Sequence, residues 1–144
     1  MEAFLFILFI LSVISCSQSI VMAPESIKVR KSSRCVEFTF DGNTTALSFE
    51  FLRVYSPSAE VRGHGVGNGV LQTGKKDVVL LRMEPAGNYA LKLVFDDGHD
   101  SGLYDWKYLR HLCATHETLW QEYLNNVQEA GASRESATIN FKSV

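Results

Sequence analysis

The chain has 144 residues, 46% hydrophobic and 21% charged, which is enough for one core and too little for two full domains. A net charge of -2 and a pI near 6.1 give no global attraction to nucleic acid or to an anionic membrane. Cys16, Cys35 and Cys113 are odd in number and widely spaced, which excludes a disulfide framework and a C-x-x-C metal knuckle. Buried reduced thiols are expected at Cys35 and Cys113, which favours a reducing compartment.

In chain order, the first feature is the apolar run Phe4–Leu11, extended by Ser12-Val13-Ile14 and followed by the polar Ser15–Ser19. It is too short for a comfortable membrane span and suits the hydrophobic region of a signal peptide. Val13–Cys16 also resembles a lipoprotein processing site, yet the only charge ahead of the run is Glu2, so the usual basic start is missing. A start at Met22 is the alternative. Residues Met1–Val21 are therefore expected to be an apolar leader, signal-like or non-native, outside the folded core. The domain is expected over residues 22–134 and a flexible tail over 135–144. Cytoplasm or an organelle matrix is the expected location, with the secretory pathway as the alternative if the leader acts as a signal. The sequon Asn43-Thr44-Thr45 matters only in that second case.

From Ser26 the pattern becomes strand-like. Val36, Phe38 and Phe40 alternate with Glu37, Thr39 and Asp41, and Asp41-Gly42 supplies hairpin chemistry into Thr44–Phe49. Glu50–Tyr55 reads as a short helical turn ended by Ser56-Pro57, and the glycine-rich loop Gly63–Gly69 follows. Val78–Met83 reads as a strand, Glu84–Asn88 as a turn, and Tyr89, Leu91, Leu93 and Phe95 as an alternating strand. Asp97-Gly98 then turns the chain toward a strand near Gly102–Tyr104. Two helices are expected to close the domain: Trp106–Leu112, capped by Asp105, and a second capped by Thr115. The second carries Leu119, Trp120, Tyr123, Leu124 and Val127 on one stripe and meets Gly131 as a left-handed C-terminal residue. Trp106 and Trp120 read as core anchors, and Arg134–Val144 as a frayed polar end. The fold class is α+β: one domain, a small antiparallel sheet with helices packed on one side.

Most chemical motifs fail on inspection. Gly69–Lys76 approaches a phosphate-binding loop, but Lys76 stands where a magnesium-binding hydroxyl belongs and a strand follows where a helix is required. The alternating glycines of Gly63–Gly69 do not have dinucleotide-binding spacing. Ser56 and Ser58 have no evident base nearby in sequence, and no histidine is followed two places on by a carboxylate. His111 and His116 are expected on solvated helix surface or near a helix end. His99 differs, because Asp96, Asp97 and Asp100 surround it. The basic clusters Lys28–Arg34 and Lys75-Lys76 read as a solvated strand edge and a turn.

Five blocks occur in order: Leu52–Gly65 (LRVYSPSAEVRGHG), Leu71–Lys75, Glu84–Ala90, Asp97–Tyr104 (DGHDSGLY) and Ala130–Arg134. In these blocks the chain resembles the gamma-butyrobetaine hydroxylase-like N-terminal domain family, a domain of unknown function, and in particular its small stand-alone members. In the carnitine-biosynthesis oxygenases a similar domain precedes the catalytic barrel and holds zinc through a C-x-C-x-x-C run and a histidine. The resemblance places those positions at Ser56, Ser58, Val61 and His99, so three of the four ligands are replaced. Other relatives are fused to iron–sulfur carrier ATPases, which implies accessory work in cluster or metal handling.

The favoured expectation is a non-catalytic accessory or interaction module with a protein partner, an iron–sulfur carrier ATPase or an oxygenase being the implied classes. No nucleic-acid partner and no stable membrane span are expected. A metal-dependent enzyme using His64 and His99, and a secreted or lipid-anchored binding protein, are the alternatives. Arg53, Ser56, Ser58, Arg62 and His64 are the candidate binding residues, and His99 with Asp97 the candidate ligands of a divalent metal. That nitrogen and oxygen set would suit iron(II) or manganese as well as zinc.

Overall fold

Short strands of the first half pair into one antiparallel sheet and those of the second half into another. The computed structural model describes residues 22–63 and 69–137. The leader, His64 and the end of the tail lie outside the described residues. Strands β1 (Ser26–Arg30), β2 (Cys35–Phe40) and β3 (Asn43–Ser48) form the first sheet, in that order. Strands β4 (Leu80–Ala86), β5 (Ala90–Phe95) and β6 (Leu103–Asp105) form the second. Helices α1 (Phe49–Val54) and α2 (Ala59–Arg62) lie between the sheets in sequence, and α3 (Trp106–Glu129) ends the domain. The fold is thus α+β as expected, with two three-stranded sheets in place of one.

The alternation in β2 is obeyed, with Val36, Phe38 and Phe40 all buried. Asp41 and Gly42, with φ of 50° and 75°, make the tight primed turn that sets Phe40 opposite Asn43. The second sheet departs from the simple pattern. Leu91, Leu93, Val94 and Phe95 are all buried, while Tyr89 falls in the preceding turn and is exposed. A bulge between Leu80 and Arg82 turns Leu81 outward, and β4 runs on to Ala86 through the segment expected as a turn. Lys28 and Arg30 are exposed on β1, a strand edge as expected.

The expected pair of terminal helices is a single helix of 24 residues. No glycine or proline interrupts Trp106–Glu129. Thr115 does not cap; its hydroxyl bonds back to the His111 carbonyl at 2.7 Å. His116 occupies an inward position between Leu112 and Trp120, edge-on to the Phe51 ring with centroids 4.7 Å apart. A polar residue at an inward position made one stripe look like two. Asp105 does cap the helix, accepting from the Tyr108 amide at 2.7 Å. At the other end Gly131 has φ of 61°, and Ala132 N–H reaches the Val127 carbonyl, which completes a Schellman motif. The helix touches β3 of one sheet and β6 of the other, so Leu109 and Leu112 share one core with Phe38 and Leu93. Trp106 and Trp120 pack half-buried against that core, and Cys35 and Cys113 are free and half-buried rather than fully buried. Among the described residues no helix is long and apolar enough to cross a membrane.

Candidate functional site

Two segments far apart in sequence frame the site: α1 through α2, and the turn from Asp96 to Gly102. Ser48 starts α1 by accepting from the Phe51 amide at 3.0 Å. Every residue of α1 is buried, including the charged Glu50 and Arg53. Such charges require partners in a low-dielectric interior. Arg53 donates from Nε to Asp97 Oδ2 at 2.8 Å and from Nη1 to Gln72 Oε1 at 3.1 Å. Lys75 adds its ammonium to the same Asp97 oxygen at 2.6 Å, and the other oxygen accepts from the His99 amide at 3.2 Å. Burial raises the Asp97 pKa, but the Lys75, His99 amide and Arg53 hydrogen bonds outweigh it and bring the group down to about 2.

The His99 ring is buried at 6% exposure. Its Nε2 lies 2.7 Å from Ser56 Oγ and 3.4 Å from Ser58 Oγ, while Nδ1 lies 3.3 Å from Glu60 Oε2. Burial, and then the Arg53 charge, hold its pKa below the usual histidine value against the opposing pull of Glu60 and Asp97. The neutral ring is therefore the resident form. A carboxylate can only accept, so the network assigns the proton to Nδ1, facing Glu60, and leaves Nε2 to accept from the Ser56 hydroxyl.

The histidine, both serines, Asp97 and Arg53 thus converge, although Asp97 meets the His99 backbone and the Arg53 side chain rather than the imidazole. Asp96 caps the Val79 amide and Asp100 pairs with Lys92, so neither carboxylate is directed at the ring. Arg62 lies apart, exposed and stacked over the Tyr108 ring at 4.9 Å. Ser56, which has no base nearby in sequence, does have one in space. Glu60, Gln72 and Lys75 are members that were not singled out from the sequence, although Glu60 lies in the block Leu52–Gly65 and Gln72 and Lys75 in the block Leu71–Lys75.

The order hydroxyl, imidazole, carboxylate is that of a hydrolase triad. Its surroundings are not. Ser56 is 1% exposed, and a Cβ placed on Gly102 would sit 2.3 Å from its Oγ, which leaves no space for an acyl group to approach. Among the described residues no buried side-chain nitrogen or oxygen lacks a hydrogen-bond partner. The cluster is closed and internally satisfied.

Residues 27–110 match the signature of the domain described as gamma-butyrobetaine hydroxylase-like, N-terminal. The chain belongs to the gamma-butyrobetaine hydroxylase-like N-terminal domain family. A protein solved by NMR in solution is 46% identical over 85% of this chain and 97% of its own, with a TM-score of 0.73. A second NMR structure is 48% identical over 88% of this chain and 96% of its own, with a TM-score of 0.70. A crystal structure of a protein of unknown function from Acidithiobacillus ferrooxidans, placed in the DUF971 family, is 38% identical. It aligns over 65% of this chain and 96% of its own, with a TM-score of 0.54. No curated protein matches the chain.

The zinc that this resemblance implies for the oxygenase relatives does not fit the side chains present. Ser56 and Ser58 are hydroxyls already directed at His99, and Val61 is a buried apolar residue. Among the described residues no three His, Cys, Asp or Glu side chains gather as a metal site.

Proposed function

We propose that this family member is a non-catalytic interaction module whose polar cluster fixes the shape of a protein-binding surface. The observation carrying this reading is the closure of the Ser56–His99–Glu60 cluster. Its nucleophile is buried, its histidine is held neutral, and the contacts of the His99 ring with Ser56, Ser58 and Glu60 all run between the two segments that frame the site. Groups committed in this way hold loops in place. An open, mostly apolar concavity lies directly beside them, formed by α1, α2 and the face of α3 at Tyr123. The two partner classes implied by the family resemblance, an iron–sulfur carrier ATPase and an oxygenase, are the first to try.

Purified chain titrated into each purified partner class by calorimetry, alongside labelling with a fluorophosphonate probe, tests the proposal. The expected result is saturable binding to a protein with no labelled serine. Labelling that disappears in Ser56→Ala would overturn it.

A further inference from the structure

The concavity beside the cluster has a volume of about 650 Å³. Val54, Val61, Val70 and Leu71 form its apolar walls, with Tyr55 and Tyr123 behind them. The polar ends of those aromatics are already used: Tyr55 donates to the Leu119 carbonyl at 2.6 Å and Tyr123 to the Gln72 carbonyl at 2.9 Å. The Gln72 amide is spent on Arg53 and the Val70 carbonyl. Apart from Arg62 and Asn126 at the lining, what remains for a ligand is mostly apolar area, and Val70 is 55% exposed at its edge.

The surface that continues from Asn126 has the opposite chemistry. Glu117, Glu122 and Glu129 lie there on one face of α3 with Gln121 and Asn125 between them. None of these glutamates takes part in a salt bridge among the described residues. Burial first, and then the nearby Glu122 charge, disfavour ionisation of the Tyr55 hydroxyl, which ties the acidic face to the groove. Among the described residues Arg62 is the single charged one lining the groove, and its guanidinium lies over Tyr108.

We propose that the groove docks a basic amphipathic segment of a partner protein, its apolar side chains between Val70 and Tyr123 and its lysines or arginines over the glutamates of α3. Charge complementarity selects this occupant over an acidic peptide, and an apolar stripe beside charge is how a helix is read in a groove. The inference rests on the interaction-module reading and specifies its surface.

The probe is a fluorescein-labelled synthetic helix of about four turns with leucine on one face and lysine on the other. Two controls keep one face each: leucine with glutamate, and serine with lysine. Anisotropy is expected to show saturable binding of the leucine–lysine helix alone. The affinity should fall about tenfold in Val70→Asp and by a similar factor in the double variant Glu122→Lys, Glu129→Lys. All three positions are exposed, so the variants should melt as the parent does. Equal binding of the leucine–glutamate helix, or affinity unchanged in both variants, would overturn the groove assignment. So would a dimer of this chain that Val70→Asp dissolves, because the groove would then belong to a second copy. A partner protein captured equally by parent and Val70→Asp overturns the groove and leaves the module standing, whereas turnover of a substrate removes the module reading itself.

Discussion

Arg134 closes both arms of its guanidinium on Glu50, Nε to Oε1 at 2.8 Å and Nη2 to Oε2 at 2.6 Å, joining positions 84 residues apart. Glu50 is 6% exposed on the buried helix α1, and Arg134 also stacks on the Trp120 ring at 5.1 Å. The arginine that begins the expected frayed end is instead an anchor. A forked ion pair with a buried carboxylate is destabilising to break, because the survivor is left charged in a poor solvent. Glu50→Gln should lower the unfolding free energy by about 2 kcal/mol in urea, discounted because Arg134 keeps 33% exposure. Arg134→Ala should cost at least as much, and the double variant less than the sum. Additive losses would show that the two residues act independently.

What the sequence made legible was local. The Asp41-Gly42 turn, the Asp105 cap and the Gly131 terminus each depend on one or two side chains and are in place. The number of sheets and the unity of α3 depend on long-range packing. His116 looks polar in sequence and serves as an aromatic against Phe51, and Glu50 looks like surface until Arg134 is seen.

His99 is expected to behave as a structural residue. His99→Ala removes hydrogen bonds that close the site and leaves the buried Ser56 hydroxyl without its acceptor, at a cost of about 1–3 kcal/mol. Ser56→Ala in the same background should show a coupling of about 1 kcal/mol. Metal content of untagged protein should be the same in parent and variant. Stoichiometric metal in the parent that is lost in His99→Ala would contradict this role.

Acid should weaken the domain over two pH ranges. The folded pKa of His99 lies below its ordinary value of 6.5, so on acidification the unfolded chain takes up a proton that the folded chain refuses. Stability therefore declines from that value downward through the folded pKa, and this histidine adds no pH dependence above it. Asp97 is held at about 2 against 3.8, so its contribution is complete above 3.8 and is lost as the pH falls toward 2. Urea unfolding across this range should show the first decline reduced in His99→Gln and the second in Asp97→Asn. An unchanged profile in His99→Gln would place the first decline on another group.

The site was half legible. Arg53, Ser56, Ser58 and His99 stand in the blocks that carry the family resemblance, and they do meet. Gln72, Lys75 and Glu60 stand in such blocks too, but nothing in their residue types marked them as partners of Arg53, Asp97 and His99, and Glu60 reaches His99 from an otherwise exposed position. A carboxylate with 71% side-chain exposure has nothing in its sequence context to mark it as a histidine partner.

Gly102 gives the sharpest test of the closed cluster. It carries no left-handed φ, so its requirement is space rather than backbone freedom. A Cβ there would meet Ser56 Oγ at 2.3 Å, with Pro57 Cδ and Tyr104 Cε2 both at 3.3 Å. Ser56 cannot yield without leaving His99, and the Tyr104 hydroxyl is fixed on the Leu52 carbonyl. Gly102→Ala should thus cost about 1–3 kcal/mol by overpacking, although alanine normally favours an ordered backbone. The damage should be local to this turn: amide exchange should quicken at Ser58 and His99 while the Asp41-Gly42 hairpin keeps its protection. Combining Gly102→Ala with Ser56→Gly, which removes the obstructing hydroxyl, should recover part of the loss. If Gly102→Ala melts with the parent, the Ser56 hydroxyl is not packed against the turn and Ser56 is not closed to substrates by Gly102.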